Sequence, residues 1–277
     1  VIDCDFERRF GGLRRLYGPQ GAQAIFDAHV VVVGIGGVGS WAAEALARSG
    51  VGRLTLVDMD HVAESNVNRQ IHATGATLGQ AKVDAMRERI LAIQPGCHVT
   101  TVDDFVTPAN WPELVATWAD APGPLALIDA CDQVPAKTAM ADWARRSGAL
   151  LVLSGAAGGK RLGHRVEVGD LADTTHDPLL AQVRYRLRKH HGAPRDKRLG
   201  VTCVFSREAV APPDAACVAD GAADGSLNCH GYGSSVAVTA TFGMAAAGWA
   251  MDRLALGDGF LKKKQVDFKS VKNDAII

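Results

Sequence analysis

The sequence lacks the cysteine pairs that would announce a zinc site or a dithiol redox centre. Its six cysteines, Cys4, Cys97, Cys131, Cys203, Cys217 and Cys229, are scattered, and no two stand in C-x-x-C spacing. That spread predicts reduced thiols, as in a cytoplasmic protein. Net charge is lacking too, with 30 basic residues against 30 acidic ones. Binding of nucleic acid by bulk electrostatics is thereby excluded, and any such contact must be a local patch. The opening stretch VIDCDFERRFGG is charged and has no apolar run of the secretory-leader type. No internal repeat is found. The segment GYGSSVAVTATFGMAAAGWAM, 231–251, has no charge and is close in length to the ~20 residues of a membrane span. Its Ala, Gly, Ser and Thr content predicts a buried core or dimer-interface helix instead, so no membrane is expected as a partner.

What the sequence has is rhythm. Strand-like runs at 30–34 (VVVVG), 53–58 (RLTLVD), 98–103 (HVTTVD), 125–129 (LALID) and 150–154 (LLVLS) alternate with helix-like segments at 41–49, 78–94 and 134–147. Strands separated by helix-length connections predict an α/β fold, a Rossmann-like, mostly parallel sheet with helices on both faces. After Ser154 the rhythm breaks. HRVEVGD (164–170) and VTCVFS (201–206) read as further strands and 177–191 as a helix, while irregular stretches run over 192–200 and 207–230. Loops of that length in a compact domain are usually functional or mobile. The sheet is therefore expected to be extended by C-terminal strands and helices that cover its active edge. The tail from KKKQVDFKS onward is polar and without period.

GIGGVG, 34–39, follows an apolar strand and opens a helix, the context a phosphate-binding glycine turn requires. Gly34 permits the tight turn, Gly36 lets backbone approach phosphate, and Gly39 lets helix pack on strand. Asp58 ends the next strand, where a carboxylate can accept from ribose hydroxyls. Arg69 follows in the loop SNVNRQ (65–70), with Asn66, Asn68 and Gln70 as neutral donors around it. A guanidinium there can hold a polyphosphate through paired hydrogen bonds. Thr77 and Gln80 predict a capping box, T-x-x-Q, which starts a helix near Leu78 and puts Lys82 in its second turn. A lysine so near a positive helix end suits an anion. Asp129 and Asp132 close the strand LALIDACDQ; Asp132, beyond the strand, can face a nucleotide and hold Mg²⁺ directly or through water, while Asp129 is expected to brace the next helix. The set describes ATP with its triphosphate engaged. A hydride-transfer site would need neither Arg69, Lys82 nor Asp132.

In order and spacing, GIGGVG, Asp58, SNVNRQ, LGQAK (78–82) and DACDQ (129–133) resemble the ubiquitin-activating-enzyme-like adenylyltransferases of the ThiF and MoeB type. The resemblance implies a single adenylating domain over 29–256, with a nucleotide-binding half, 29–154, and a substrate-side half, 155–256. An N-terminal arm and helix (1–28) precede it and a polar tail (257–277) follows. It implies nucleotide contacts from Gly34, Gly36, Gly37, Gly39, Asp58, Ser65, Asn66, Asn68, Arg69, Gln70, Lys82, Asp132 and Gln133. Catalytic roles fall to Arg69 and Lys82 on the triphosphate, Asp132 on Mg²⁺, and Arg15 (in RRLYG), donated into the partner's site of a homodimer. ATP and Mg²⁺ are the expected cofactors, with a structural monovalent cation beside them.

Further stretches, RRFGGLRRLYG, VGSWAAEALARSGVG, DDFVTP (103–108), LGVTCVFS (199–206) and TATFGMAA (239–246), resemble the family's branch that acts on tRNA carrying N6-threonylcarbamoyladenosine. That branch uses ATP to dehydrate and cyclise the modified nucleoside through carboxylate adenylation. Members that adenylate the C-terminal glycine of a ubiquitin-like sulfur carrier, the alternative activity, commonly carry two C-x-x-C pairs, absent here. The branch also implies a link to a cysteine desulfurase and sulfur-acceptor system, which draws attention to Cys203 and Cys229. Cys203 lies in an apparent strand and reads as core. The densest positive run, RYRLRKHHGAPRDKR (184–198), offers Arg184, Arg188, Lys189, Arg195, Lys197 and Arg198 as tRNA contacts, with Lys160, Arg161 and Arg165 on the same approach.

Overall fold

The computed structural model describes residues 5–119, 123–212 and 232–257. Its centre is a seven-stranded sheet: β1 (His29–Val33), β2 (Arg53–Val57), β3 (His98–Val102), β4 (Leu125–Asp129), β5 (Leu150–Ser154), β6 (Val166–Asp170) and β7 (Thr202–Ser206), in the order β3-β2-β1-β4-β5-β7-β6. All neighbours pair in parallel except β6, which runs antiparallel to β7 at the edge. In β1 every residue is buried, as a strand covered on both faces requires. Alternation still decides where each side chain goes. Val30 and Val32 join one core layer, with Ile25, Leu46, Met86 and Phe242. Val31 and Val33 join the other, with Trp111, Met140 and Leu180.

The helices supply those layers. One layer packs α1 (Phe6–Phe10), α2 (Gly12–Phe26), α3 (Gly39–Arg48), α4 (Lys82–Ile93) and α8 (Val236–Ala255) against the sheet; the other packs α5 (Trp111–Ala119), α6 (Val134–Ser147) and α7 (Pro178–His190). The uncharged segment becomes α8, started by the Ser235 hydroxyl accepting from Ala237 N. Among the described residues no helix is long and apolar enough to cross a membrane. Its small residues serve close packing: a Cβ on Gly243 would lie 2.4 Å from Val38 O and 2.8 Å from Ala42 N of α3.

Four local features depart from expectation. The capping box does not form, because Thr77 Oγ1 accepts from Thr74 N and donates to His72 O, and Gln80 Nε2 reaches Glu88. The chain turns through Gly79 at φ +82°, so α4 begins at Lys82 itself. Second, α5 was not expected. Third, α2 is broken at Gly18, φ 73° and ψ 166°, just before Pro19, where a proline has no N–H to continue the helix. HRVEVGD opens with a 3-10 turn, Gly163–Arg165, and becomes strand only at Val166. Most of the second irregular stretch, with Cys217 and Cys229, and residues 258–277 of the tail lie outside the described residues.

Candidate active site

The sheet order reverses between β1 and β4, which opens a crevice at the C-terminal ends of the strands, the usual ligand position in such folds. A cavity of about 820 Å³ occupies it. Its floor is the glycine turn. Gly34 adopts φ +87°, and a Cβ there would stand 2.8 Å from Ala130 C; one on Gly39 would stand 1.8 Å from Gly34 O. No side chain fits at either position, so the first turn of α3 is held directly against the end of β1. Gly36 faces open space, with Gln70 Nε2 4.0 Å from where a Cβ would be. Free N–H groups at a helix start that backbone can approach closely make an anion seat.

Asp58 closes this turn from the side. Its Oδ2 accepts from Ile35 N at 2.6 Å and its Oδ1 from Asp60 N at 2.8 Å. Burial raises its pKa, against the pull of Lys82 and those two N–H groups. The carboxylate therefore shapes the turn as well as lining the cavity, and each oxygen keeps a lone pair for a ribose hydroxyl.

Two cations point to the same cavity. Lys82, the first residue of α4, has its Nζ 2.6 Å from Asp60 Oδ2. Arg69 is only 9% exposed. Its Nη1 donates to Ser65 O at 2.6 Å and to Asn68 Oδ1 at 2.9 Å. Among the described residues no carboxylate forms an ion pair with it. A buried cation without a counter-ion is costly unless one arrives. Asn68 does not line the cavity; it braces Arg69 and donates to Ser234 O at 3.1 Å. Asn66 and Gln70 do line it. Asn66 Oδ1 is turned to Ala63 N at 3.0 Å, while Gln70 Oε1 is buried without a hydrogen-bond partner among the described residues.

Across the crevice, Asp132 and Gln133 stand beyond β4, exposed, with Gln133 Nε2 donating to Asp132 Oδ1 at 3.1 Å. Asp129 braces α6 as expected: Lys137 Nζ lies 3.0 Å from its Oδ2, and both side chains are fully buried. Burial would lower the Lys137 pKa, but the Asp129 carboxylate outweighs it and the net direction is upward. The Gly155–Gly158 loop after β5 forms a further wall. It is tied down by Asp177, which accepts from Ala156 N at 2.9 Å and, as N-cap of α7, from Leu180 N at 3.0 Å.

A model of the ThiF family matches residues 11–274. The chain belongs to the ThiF family. Among its relatives is the tRNA threonylcarbamoyladenosine dehydratase of Escherichia coli K12, 45% identical over 262 residues, 92% of this chain and 96% of that protein. The Haemophilus influenzae protein of the same name is 38% identical over 94% of this chain and 96% of its own length. Crystal structures of the E. coli enzyme with AMP and with ATP align at TM-scores of 0.80 and 0.79, with 44% identity over 93% of this chain and 98% of theirs. The E. coli molybdopterin-synthase adenylyltransferase is 41% identical over 96 residues, only 35% of this chain.

Several expected residues of this ThiF-family chain lie elsewhere. Arg15 is exposed on α2 and does not line the cavity of its own protomer. Lys160 is corrected from a tRNA approach to an internal tie: it is 2% exposed and its Nζ donates to His176 O, Ser206 O and Glu208 O at 3.1, 3.1 and 2.8 Å. Burial lowers its pKa, opposed by Asp177 and Glu208. Arg184 and Arg188 also turn inward. The first donates to Leu171 O, Thr174 O and Thr174 Oγ1, the second to Pro194 O and Arg195 O. Lys189, Arg195, Lys197, Arg198, Arg161 and Arg165 are exposed. Cys203 is core, and burial holds its thiol well above the ordinary range, as it does for Cys131. Asp60, Trp41 and Lys137 were missed. Trp41 Nε1 donates to Arg69 O at 2.9 Å and fixes that loop. Asp60 had a signal, a second acid two residues after Asp58; Trp41 had none.

Proposed function

We propose that this chain is an ATP-dependent enzyme that dehydrates N6-threonylcarbamoyladenosine in tRNA, closing it to a cyclic nucleoside through an acyl-adenylate. The observation that carries this reading is Arg69, buried and without a counter-ion among the described residues, beside Lys82 and the glycine turn in one cavity. Similarity across nearly the full length to a dehydratase crystallised with ATP and with AMP supports it. The partial match to a molybdopterin-pathway enzyme favours the sulfur-carrier alternative much less.

The chemistry follows from where charge develops. A threonyl carboxylate oxygen attacks the α-phosphorus of ATP, the bond to the β-phosphate bridging oxygen breaks, and pyrophosphate leaves. Arg69 and Lys82 hold the phosphates in line and stabilise the negative charge that builds on them. For Lys82 this means exchanging Asp60 for phosphate. An internal nucleophile of the same residue then attacks the activated carboxyl carbon and expels AMP, so that one water is lost overall. An oriented intramolecular nucleophile needs little further help.

Mg²⁺ fits the residues present. Among the described residues no trio of His, Cys, Asp or Glu could hold a metal alone, and Mg²⁺ commonly takes one carboxylate together with substrate phosphates and waters. Asp132 at the cavity wall is that carboxylate in our reading. Bound there, the ion would neutralise phosphate charge. We place Arg15 in the partner's site of a two-fold dimer, and the protein in the cytoplasm.

The test is incubation with ATP, Mg²⁺ and tRNA bearing or lacking the modification, following nucleoside mass and AMP. Loss of one water from modified tRNA alone is expected; turnover indifferent to the modification would refute the reading. Arg69→Ala and Lys82→Ala should each lower turnover by at least about a hundredfold, the scale of one electrostatic donor, with circular dichroism unchanged. Near-normal rates in either would remove that residue from the mechanism.

A further inference from the structure

α7 has two faces of different character. Leu179, Leu180, Val183 and Leu187 are buried, and Arg184 and Arg188 spend their guanidinium groups on backbone carbonyls. The face left to solvent carries Tyr185, Arg186 and Lys189, at the one-turn spacing that stacks side chains along a helix. Tyr185 is 60% exposed, the most exposed aromatic ring among the described residues, and Lys189 Nζ sits 5.4 Å from its centroid. Lys189 and Arg186 flank it on the helix, and Arg195, Lys197 and Arg198 follow in the segment that Arg188 ties to α7; all five are exposed and in no ion pair among the described residues. A single exposed apolar side chain needs no explanation. An exposed ring flanked by cations that form no ion pair among the described residues, in a chain with no net charge, is a surface complementary to a polyanion that also presents flat rings.

The helix also leads away from the reaction. Leu179 is part of the cavity wall, and Tyr185, six residues later, is displaced along the axis by about 9 Å at the helical rise per residue. The exposed face thus begins within about two helical turns of a residue that lines the cavity.

We infer that the Tyr185 face of α7 is a stacking platform for an unpaired base of the RNA substrate, with Arg186 and Lys189 on the adjoining phosphates. The inference rests on the tRNA reading above. Proteins recognise RNA chiefly through unstacked bases in loops, and stack them on aromatic rings without needing their sequence. Phosphate contacts position the strand, whereas the ring supplies affinity that salt does not screen. This separates Tyr185 from its neighbours experimentally.

The experiment measures binding of tRNA carrying threonylcarbamoyladenosine by fluorescence anisotropy across a salt series, for the wild type, Tyr185→Ala, Tyr185→Trp and Lys189→Ala. Tyr185→Ala should weaken binding about tenfold, with an unchanged slope of log affinity against log salt. Tyr185→Trp should restore it. Lys189→Ala should instead reduce the slope by about one. ATP binding should be equal in all four, since none of these side chains lines the cavity. Wild-type affinity in Tyr185→Ala would overturn the inference while leaving the tRNA reading intact, and would leave this face to a protein partner. A wild type that binds no tRNA would sink the tRNA reading and the inference with it.

Discussion

At the scale of single residues, the Lys137–Asp129 pair shows how a buried charge holds a site together. Lys137 Nζ contacts the Asp129 carboxylate at 3.0 Å and its backbone carbonyl at 3.3 Å, while Asp129 Oδ1 accepts from Cys131 N at 3.1 Å. The turn that presents Asp132 is thus fastened from beneath. Removing one partner strands the other charge in the core, so Lys137→Met should lose about 3 to 5 kcal/mol in urea unfolding. The double variant Lys137→Met, Asp129→Leu should recover most of that. Equal losses in single and double variants would show that packing, not charge, carries the effect. The pair also marks a limit of the sequence. Gly34, Asp58, Arg69 and Lys82 could be singled out from sequence, because phosphate and ribose chemistry favours those residue types together, and the fold gathers them around one cavity. Lys137 and Lys160 could not, since lysine is ordinarily a surface residue and only tertiary structure brings carbonyls and a carboxylate to each.

At the scale of elements, the site depends on how α8 packs. Its Gly243 lies against Val38 O and Ala42 N, and Val38, the N-cap of α3, lines the nucleotide cavity. Backbone atoms cannot rotate aside as a side chain can. Gly243→Ala should therefore push α8 from α3, costing about 1 to 3 kcal/mol of stability and raising KM for ATP with less change in kcat. A shift in kcat alone would contradict this route. Periodicity made most elements legible, because a parallel strand covered on both faces is a short apolar run and its helices are long. α5 escaped although Trp111, Val115 and Trp118, all buried, have helical spacing, and Pro112 stands near its start where proline is favoured. The start of α4 was misplaced for a different reason. Thr77 had the right spacing for a cap, but its hydroxyl is used by the turn before it, and local competition of that kind is invisible in a motif.

At the scale of the whole molecule, acid sensitivity is built into the layers. Burial first, then Arg53 and His98, lower the His29 pKa to about 4; burial, then Lys82 and Arg89, do the same for His72. Folded, both rings stay neutral down to that pH, while the unfolded chain protonates them below about 6.5. Protons therefore favour the unfolded state, and stability present above about 6.5 is lost as pH falls towards 4. Each histidine can contribute at most on the order of 3 kcal/mol to that loss. The melting temperature should fall steadily between pH 7 and 4.5, less steeply in His72→Gln; a flat profile would show that neither ring is neutral in the native state.

The reversal of strand order between β1 and β4 has a consequence for how such a chain can diversify. Gly34, Asp58, Arg69 and Lys82 come from the segments after β1 and β2, on one bank of the crevice. Asp132 and the Gly155–Gly158 wall come from those after β4 and β5, on the other. Apart from Ala130, which packs against the glycine turn, the second bank can be remodelled without replacing any of the first bank's residues. Lineages descending from such an architecture can inherit their handling of ATP unchanged while exploring new acceptors for the activated group.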